Sequence, residues 1–210
     1  MYTLAAMKKI TLLYSLLLII ACNSQDKRPL MGKTEYQQEL NASYKDASKS
    51  PLKTKDLKNF KGLDFFKIDS TFIVTAKLTK IANAPTFEMA TTTDRKPLYK
   101  EYGILNFTLN EKDFELIIYQ SQDDLSDEKY KDYLFLPFTD NTSGDDSYGG
   151  GRYMDVLISD EKPDGTIKLN FNNTYNPYCA YNEKYSCPLT PRKNHLDFEI
   201  KAGVKIFKKY

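Results

Sequence analysis

Two stretches of this 210-residue chain concentrate the side chains able to do chemistry. The first runs from Phe138 through Asp140, Thr142, Ser143, Asp145, Asp146 and Ser147 to Tyr148-Gly149-Gly150-Gly151-Arg152-Tyr153. Three consecutive glycines release the backbone for close approach and left-handed conformations. Arg152 is a fixed cation whose two-pronged donor set matches a carboxylate or phosphate. A glycine bulge with a salt-bridged Arg152 fits the same residues equally well. The second stretch runs from Asn170 through Asn172, Tyr175, Asn176 and Pro177 to Cys179, Tyr181, Cys187 and Pro188. It is long, irregular and dense in Asn, Tyr and Pro, the kind of structured loop that carries function or packs over one end of a sheet.

Several chemistries can be weighed on these residues. A Cys179 or Ser147 nucleophile needs a base, and His195 is the sole histidine, so a Cys-His or Ser-His arrangement is poorly supported. Cys179, Cys187 and His195 are separated by seven residues each, without the tight ligand pair of a structural zinc site. Asp140, Asp145 and Asp146 offer oxygens for calcium, but Gly151 stands where a calcium loop places its closing glutamate. No metal and no cofactor is therefore expected. A third option combines Asp140 or Asp155 as base, Tyr148 or Tyr175 as donor and Arg152 as anion clamp. That set suits a hydrolase or plain binding of a small polar or anionic ligand, and residue types alone do not separate the two.

The elements that must position these residues are mostly strands. Thr34 to Ser48 reads as one helix, capped by Thr34, with Tyr36, Leu40 and Tyr44 on one face. Lys49-Ser50-Pro51 ends it, and Asp56 to Gly62 reads as a connector. Strands follow at Leu63–Ile68, Thr71–Leu78, Thr86–Thr91, Tyr102–Leu109, Phe114–Gln120, Tyr133–Phe138, Tyr153–Ile158, Ile167–Phe171 and Leu196–Phe207. Residues Asn110 to Asp113 read as a hairpin turn and Pro163-Asp164-Gly165 as another. The Gln122–Lys131 stretch is charged and reads as surface. Many short strands with short links imply a mainly β fold, an antiparallel β-sandwich or barrel with one N-terminal α-helix.

The start of the chain reads as an address. Lys8 and Lys9 precede an apolar run from Ile10 to Ile20, and Ile19-Ile20-Ala21-Cys22 fits a lipobox. Residues 1–21 are thus expected to be a lipoprotein signal peptide, being too short for a comfortable transmembrane helix. Cys22 is expected to carry the lipid, palmitate included, at the head of a polar tether over residues 22–33. Residues 34–210 form a single β-rich domain, which the lipid holds at a membrane of the cell envelope. Setting Lys8 and Lys9 aside leaves 28 basic against 28 acidic residues. A neutral mature chain has no electrostatic footprint for nucleic acid. Of three cysteines, Cys179 and Cys187 then remain as an even pair, which in an oxidising compartment reads first as a disulfide.

The two stretches also resemble the signature blocks of the domain of unknown function 1684 family, which includes envelope lipoproteins. Phe138, Asp140, Thr142, Ser143, Gly144, Tyr148, Gly149, Gly151, Arg152 and Tyr153 match the first block. Phe171, Asn172, Tyr175, Asn176, Pro177, Cys179, Ala180, Tyr181, Cys187, Pro188 and Asn194 match the second, and Ala202-Gly203 fits the close. The chain departs from the family pattern at Asn170 and Thr190. The resemblance brings no activity with it, but it implies that both blocks belong to one shared site. The expected ligand-binding set is Asp140, Thr142, Ser143, Tyr148, Arg152, Asn172, Tyr175, Asn176 and Tyr181.

Overall fold

The strand alternation of residues 72–78 becomes, in a computed structural model that describes residues 32–208 except 124 and 126, the strand β1 (Ile73–Lys80). Its Val74, Ala76 and Leu78 are buried and its Thr75 and Lys77 exposed, as the period-2 rule demands. The expected signal peptide, the expected lipidation site Cys22 and all but the end of the expected tether lie outside the described residues. Ahead of β1 come α1 (Glu35–Lys45) and a short helix of about a turn and a half, α2 (Thr54–Asn59), which overlaps the start of the expected connector. The Thr34 hydroxyl accepts from the Gln37 amide at 3.2 Å and caps α1. Then follow β2 (Thr86–Glu88), β3 (Leu98–Leu109), β4 (Lys112–Ser121), the turn α3 (Glu128–Lys131), β5 (Tyr133–Asp140), β6 (Arg152–Leu157), β7 (Thr166–Asn170) and β8 (His195–Leu196).

The fold is mainly antiparallel β: an eight-stranded sheet in the order β6-β5-β4-β3-β1-β7, curled into a half-barrel. β2 adds to β3, and β8 runs parallel to β5. The hairpin β3–β4 turns at Asn110 and Glu111, both in left-handed conformations with φ of 48° and 63°. No helix among the described residues is long and apolar enough to cross a membrane.

The inside of the curl is filled by alternate residues of every long strand, Leu105, Leu116, Ile118, Leu134, Leu136 and Ile167 among them. The outer face of β4, β5 and β6 carries a second, aromatic layer of Tyr119, Phe135 and Tyr153. A bulge between Glu101 and Gly103 inserts Tyr102 into β3. One extra residue reverses the parity of the strand. Leu105 and Phe107 therefore face the inner core, while Tyr99 joins the outer aromatic layer.

Two expected strands are irregular. Residues 63–68 make only an isolated bridge, Phe65 to Val204. From β8 onwards the chain is irregular, bending after Leu196 and again at Gly203 (φ of 77°), with Leu196, Ile200 and Ala202 buried in the inner core. Apart from the Val204 bridge to Phe65, residues 197–207 form no strand ladder, and part of their backbone is satisfied by side chains. The Ile200 amide donates to Asp140 at 2.8 Å, and the Ile200 and Ala202 carbonyls accept from Arg152. Side chains stand in for the missing ladder.

Candidate functional site

Arg152 and Tyr153 are neighbours in β6, so their side chains leave opposite faces of the sheet. That alternation divides the expected shared site into two places.

On the inner face, Arg152 is fully buried. Its Nη2 donates to Asp140 Oδ1 at 2.9 Å and to the Ile200 carbonyl at 2.8 Å, and its Nη1 to the Ala202 carbonyl. The guanidinium also lies 5.6 Å from the Phe66 ring centre and 5.3 Å from that of Phe138. Burial pulls its pKa below the ordinary value, and Asp140 opposes the shift. Asp140 in turn accepts from the Thr142 amide and hydroxyl, at 3.2 and 2.9 Å, and from Ser143 Oγ at 3.2 Å. Gly151 makes the turn into β6 with φ of 90°, where a Cβ would sit 2.5 Å from the Phe138 carbonyl oxygen. This is the salt-bridged arginine of the alternative reading. Its two prongs are occupied by the protein's own carboxylate and carbonyls, so it presents no cation to a ligand.

Most of the second block is architectural as well. Asn172 is buried and bonds both backbone groups of Asp69, accepting at 3.1 Å and donating at 2.9 Å. The Asn176 amide donates to the Lys205 carbonyl at 2.9 Å. Tyr181 is fully buried between Tyr44 and Phe207, each with its ring centre 5.0 Å away. The closing Asn194 spans the gap where β4 and β5 diverge, accepting from the Ile117 amide and donating to the Ile117 and Pro137 carbonyls at 2.7 to 3.0 Å.

The open space lies on the outer face. A cleft of about 490 Å³ is walled by Tyr133 and Phe135 of β5, Tyr153 and Asp155 of β6, and Tyr99 beyond the bulge. The face of α1 bearing Tyr36, Leu40 and Tyr44 forms a second wall. The loop from Tyr175 to Pro188 forms the third, with Tyr178, Tyr185, Ser186 and Cys187. The volume falls within the range of small-molecule pockets. Tyr175 is paired through its backbone to Tyr153, at 2.9 and 3.0 Å, which ties the loop to the edge of the sheet. The far end of the loop is tied to the segment after β2, with Thr92 donating to the Cys187 carbonyl at 2.9 Å and Leu189 to Ala90 at 2.8 Å.

Asp155 is the chemical centre of this cleft. It is exposed, and its Oδ1 accepts the hydroxyls of both Tyr133, at 2.7 Å, and Tyr175. Among the described lining residues it is the one carboxylate, and no lysine, arginine or histidine lines the cleft. The hydroxyls of Tyr36, Tyr133 and Tyr175 are held above their ordinary pKa, chiefly by burial and further by the charge of Asp155. Of the nine expected ligand residues, Tyr175 alone lines the cleft. Tyr148 stands beside it, half-buried, its hydroxyl hydrogen-bonded to Cys179 and pushed up to about 12, mainly by burial. Asp155 was legible as a candidate base. Tyr153, a member of the first block, and Tyr36, on the marked face of α1, stand outside the expected ligand set, as do Tyr99 and Tyr133; the shared parity of Tyr153 with Asp155 and the four-residue spacing on α1 mark the faces of the first two.

The two cysteines of the expected disulfide are in contact and stand as thiols in the structure. Cys187 Sγ accepts from the Cys179 amide at 3.0 Å, and both sulfurs are free. The loop they would staple is already closed by the backbone bonds through Tyr153 and Thr92. The hydrogen bond from Cys187 lowers the Cys179 thiol to about 7, with Tyr148 and Thr92 adding. The same contact pushes the Cys187 thiol up. His195 stands apart, exposed on β8, with Nδ1 3.1 Å from Thr139 Oγ1. No three metal-ligating side chains converge among the described residues.

Comparison with known proteins places this geometry among uncharacterised relatives. A family model described as "Protein of unknown function (DUF1684)" matches residues 58–205. The chain is similar to the solution NMR structure of the uncharacterised protein from gene locus rrnAC0354 of Haloarcula marismortui. The two are 32% identical with a TM-score of 0.64, over 80% of this chain and 89% of that one. No curated protein matches.

Proposed function

The chain belongs to the DUF1684 family of proteins of unknown function, and on that premise we propose that this member is a cell-envelope lipoprotein which holds a small polar ligand in its tyrosine-lined cleft. The observation that carries the reading is the cleft itself: about 490 Å³ of open space whose aromatic walls meet at one exposed carboxylate. Apolar walls with a few convergent polar groups are the ordinary composition of a ligand site. The lipid on Cys22 would fix the protein at a membrane, leaving the domain to capture its ligand from the surrounding compartment. A hydrolase built on Asp140 and Arg152 lacks access, since both are buried and committed to each other. An anionic ligand loses its expected partner for the same reason.

Binding stabilises a folded protein against heat in proportion to ligand concentration over Kd. The test is a thermal-shift survey of small polar compounds on the native protein and on Leu40→Trp, whose added ring fills the cleft from the α1 wall. Compounds that raise the Tm of the first and not of the second support the reading. Equal shifts in both proteins, or none in either, would overturn it.

A further inference from the structure

We infer that the ligand held in the cleft is an organic cation of the methylated ammonium class, enclosed by tyrosine rings and neutralised by Asp155. This inference rests on the binding function proposed above and names its ligand class. Three features of the cleft support it. The first is charge: among the described residues, one carboxylate and no cationic side chain line the space. Arg95 lies outside the lining, at the outer rim, where it keeps its charge and donates to the Ser186 Oγ and carbonyl at 3.1 Å each.

The second is the nature of the walls. Tyr36, Tyr99, Tyr133, Tyr153, Tyr175 and Tyr178 line an open space roomy enough for a headgroup-sized cation. Aromatic faces attract cations through the ring quadrupole, and the attraction grows when water is excluded. A methylated ammonium suits such walls better than a bare ammonium ion, because its methyl groups carry the charge without needing hydrogen bonds that rings do not accept well.

The third is how the carboxylate is held. Tyr133 and Tyr175 both donate to Asp155. A hydroxyl that donates to a carboxylate is polarised towards its ring, which makes the ring a better partner for positive charge. The same two bonds satisfy Oδ1 and leave the exposed carboxylate facing the cleft without closing it. Rings and carboxylate thus present one continuous negative surface, assembled from β5, β6 and the Tyr175 loop.

Calorimetric titration of the native protein with choline, tetramethylammonium and 3,3-dimethylbutan-1-ol tests the proposal. The last is the neutral isostere of choline, identical in shape and lacking the charge. Choline and tetramethylammonium should bind saturably, and the isostere about tenfold or more weakly, the weight of a partly desolvated cation–ring and ion-pair contact. Asp155→Asn should lower choline affinity about tenfold while leaving the isostere unchanged, and Leu40→Trp should abolish both. If the isostere matches choline, or if neither cation binds while neutral compounds still give cleft-dependent thermal shifts, the cation inference is overturned and the binding function stands. If Leu40→Trp binds choline as well as the native protein does, the cleft is not the site and both readings fall.

Discussion

Arg152 shows how much the chain's own chemistry decides about a residue that looks catalytic. Its type announces an anion clamp, and its partner turns out to be Asp140, supplied twelve positions earlier on the facing strand. Removing one member of a buried, hydrogen-bonded ion pair leaves the other charge stranded. Arg152→Ala is therefore expected to cost about 3–5 kcal/mol of stability, measurable as a lowered denaturation midpoint. A midpoint near that of the native protein would contradict the structural role. Cys179 behaves in the opposite sense, gaining reactivity from its surroundings. The thiolate is the reacting form, and the Cys187 contact lowers the Cys179 thiol to about 7. Alkylation by iodoacetamide, followed at the Cys179 peptide by mass spectrometry, should rise with pH through a midpoint near 7. A midpoint near that of a free cysteine, about 8.5, or a Cys179–Cys187 crosslinked peptide in place of alkylation, would contradict the thiol pair. Residue types were enough to bring Arg152, Asp155, Tyr175 and Cys179 forward. They were not enough to say which were already satisfied, because that depends on partners such as the Ile200 carbonyl that carry no mark in the sequence.

At the scale of elements, alternation was the most legible signal and also the one that could have been carried further. It marked β1, while turn residues marked the β3–β4 hairpin and four-residue spacing the face of α1. Applied to residues 152–155, it would have put Arg152 and Met154 inside and Tyr153 and Asp155 outside. The bulge at Tyr102 was less accessible, since the inserted residue leaves no gap in an apolar pattern, yet it brings Tyr99 to the cleft. The closing segment shows the opposite limit. Residues 196–202 keep the burial alternation of a strand, but past the β8 pairing the Ile200 amide and the Ile200 and Ala202 carbonyls are met by Asp140 and Arg152 instead of a neighbouring strand. Asn194 does similar work between β4 and β5, whose direct ladder pairs only Tyr119 with Phe135. Asn194→Ala would leave the Ile117 amide and two carbonyls without their partner. An unpaired buried polar group costs about 1–3 kcal/mol, so a loss of at least about 2 kcal/mol is expected in chemical denaturation. A loss below about 0.5 kcal/mol would mean that the sheet closes without it.

Over the whole molecule, the two signature blocks are joined by structure more than by a common ligand. The Gly-rich block ties the closing segment to the inner face of the sheet, through Asp140 and Arg152. The Tyr-rich loop, strapped to β6 by Tyr175, builds a cleft on the outside with α1 as its far wall. A mainly β antiparallel fold with one substantial helix was readable from strand lengths and turn residues. The cleft was not, because it is made where three distant segments meet, and no local spacing records that meeting. The division of labour between the faces is the central claim, and it makes a spatial prediction. The most direct test is a two-dimensional NMR titration of the isotopically labelled protein with choline, following backbone amides. The shifts should concentrate at Tyr133, Tyr153, Asp155 and Tyr175 and leave Asp140, Thr142, Ile200 and Ala202 in place. Shifts centred on Asp140, Arg152 and the Ile200–Ala202 segment, with the cleft residues unmoved, would contradict it.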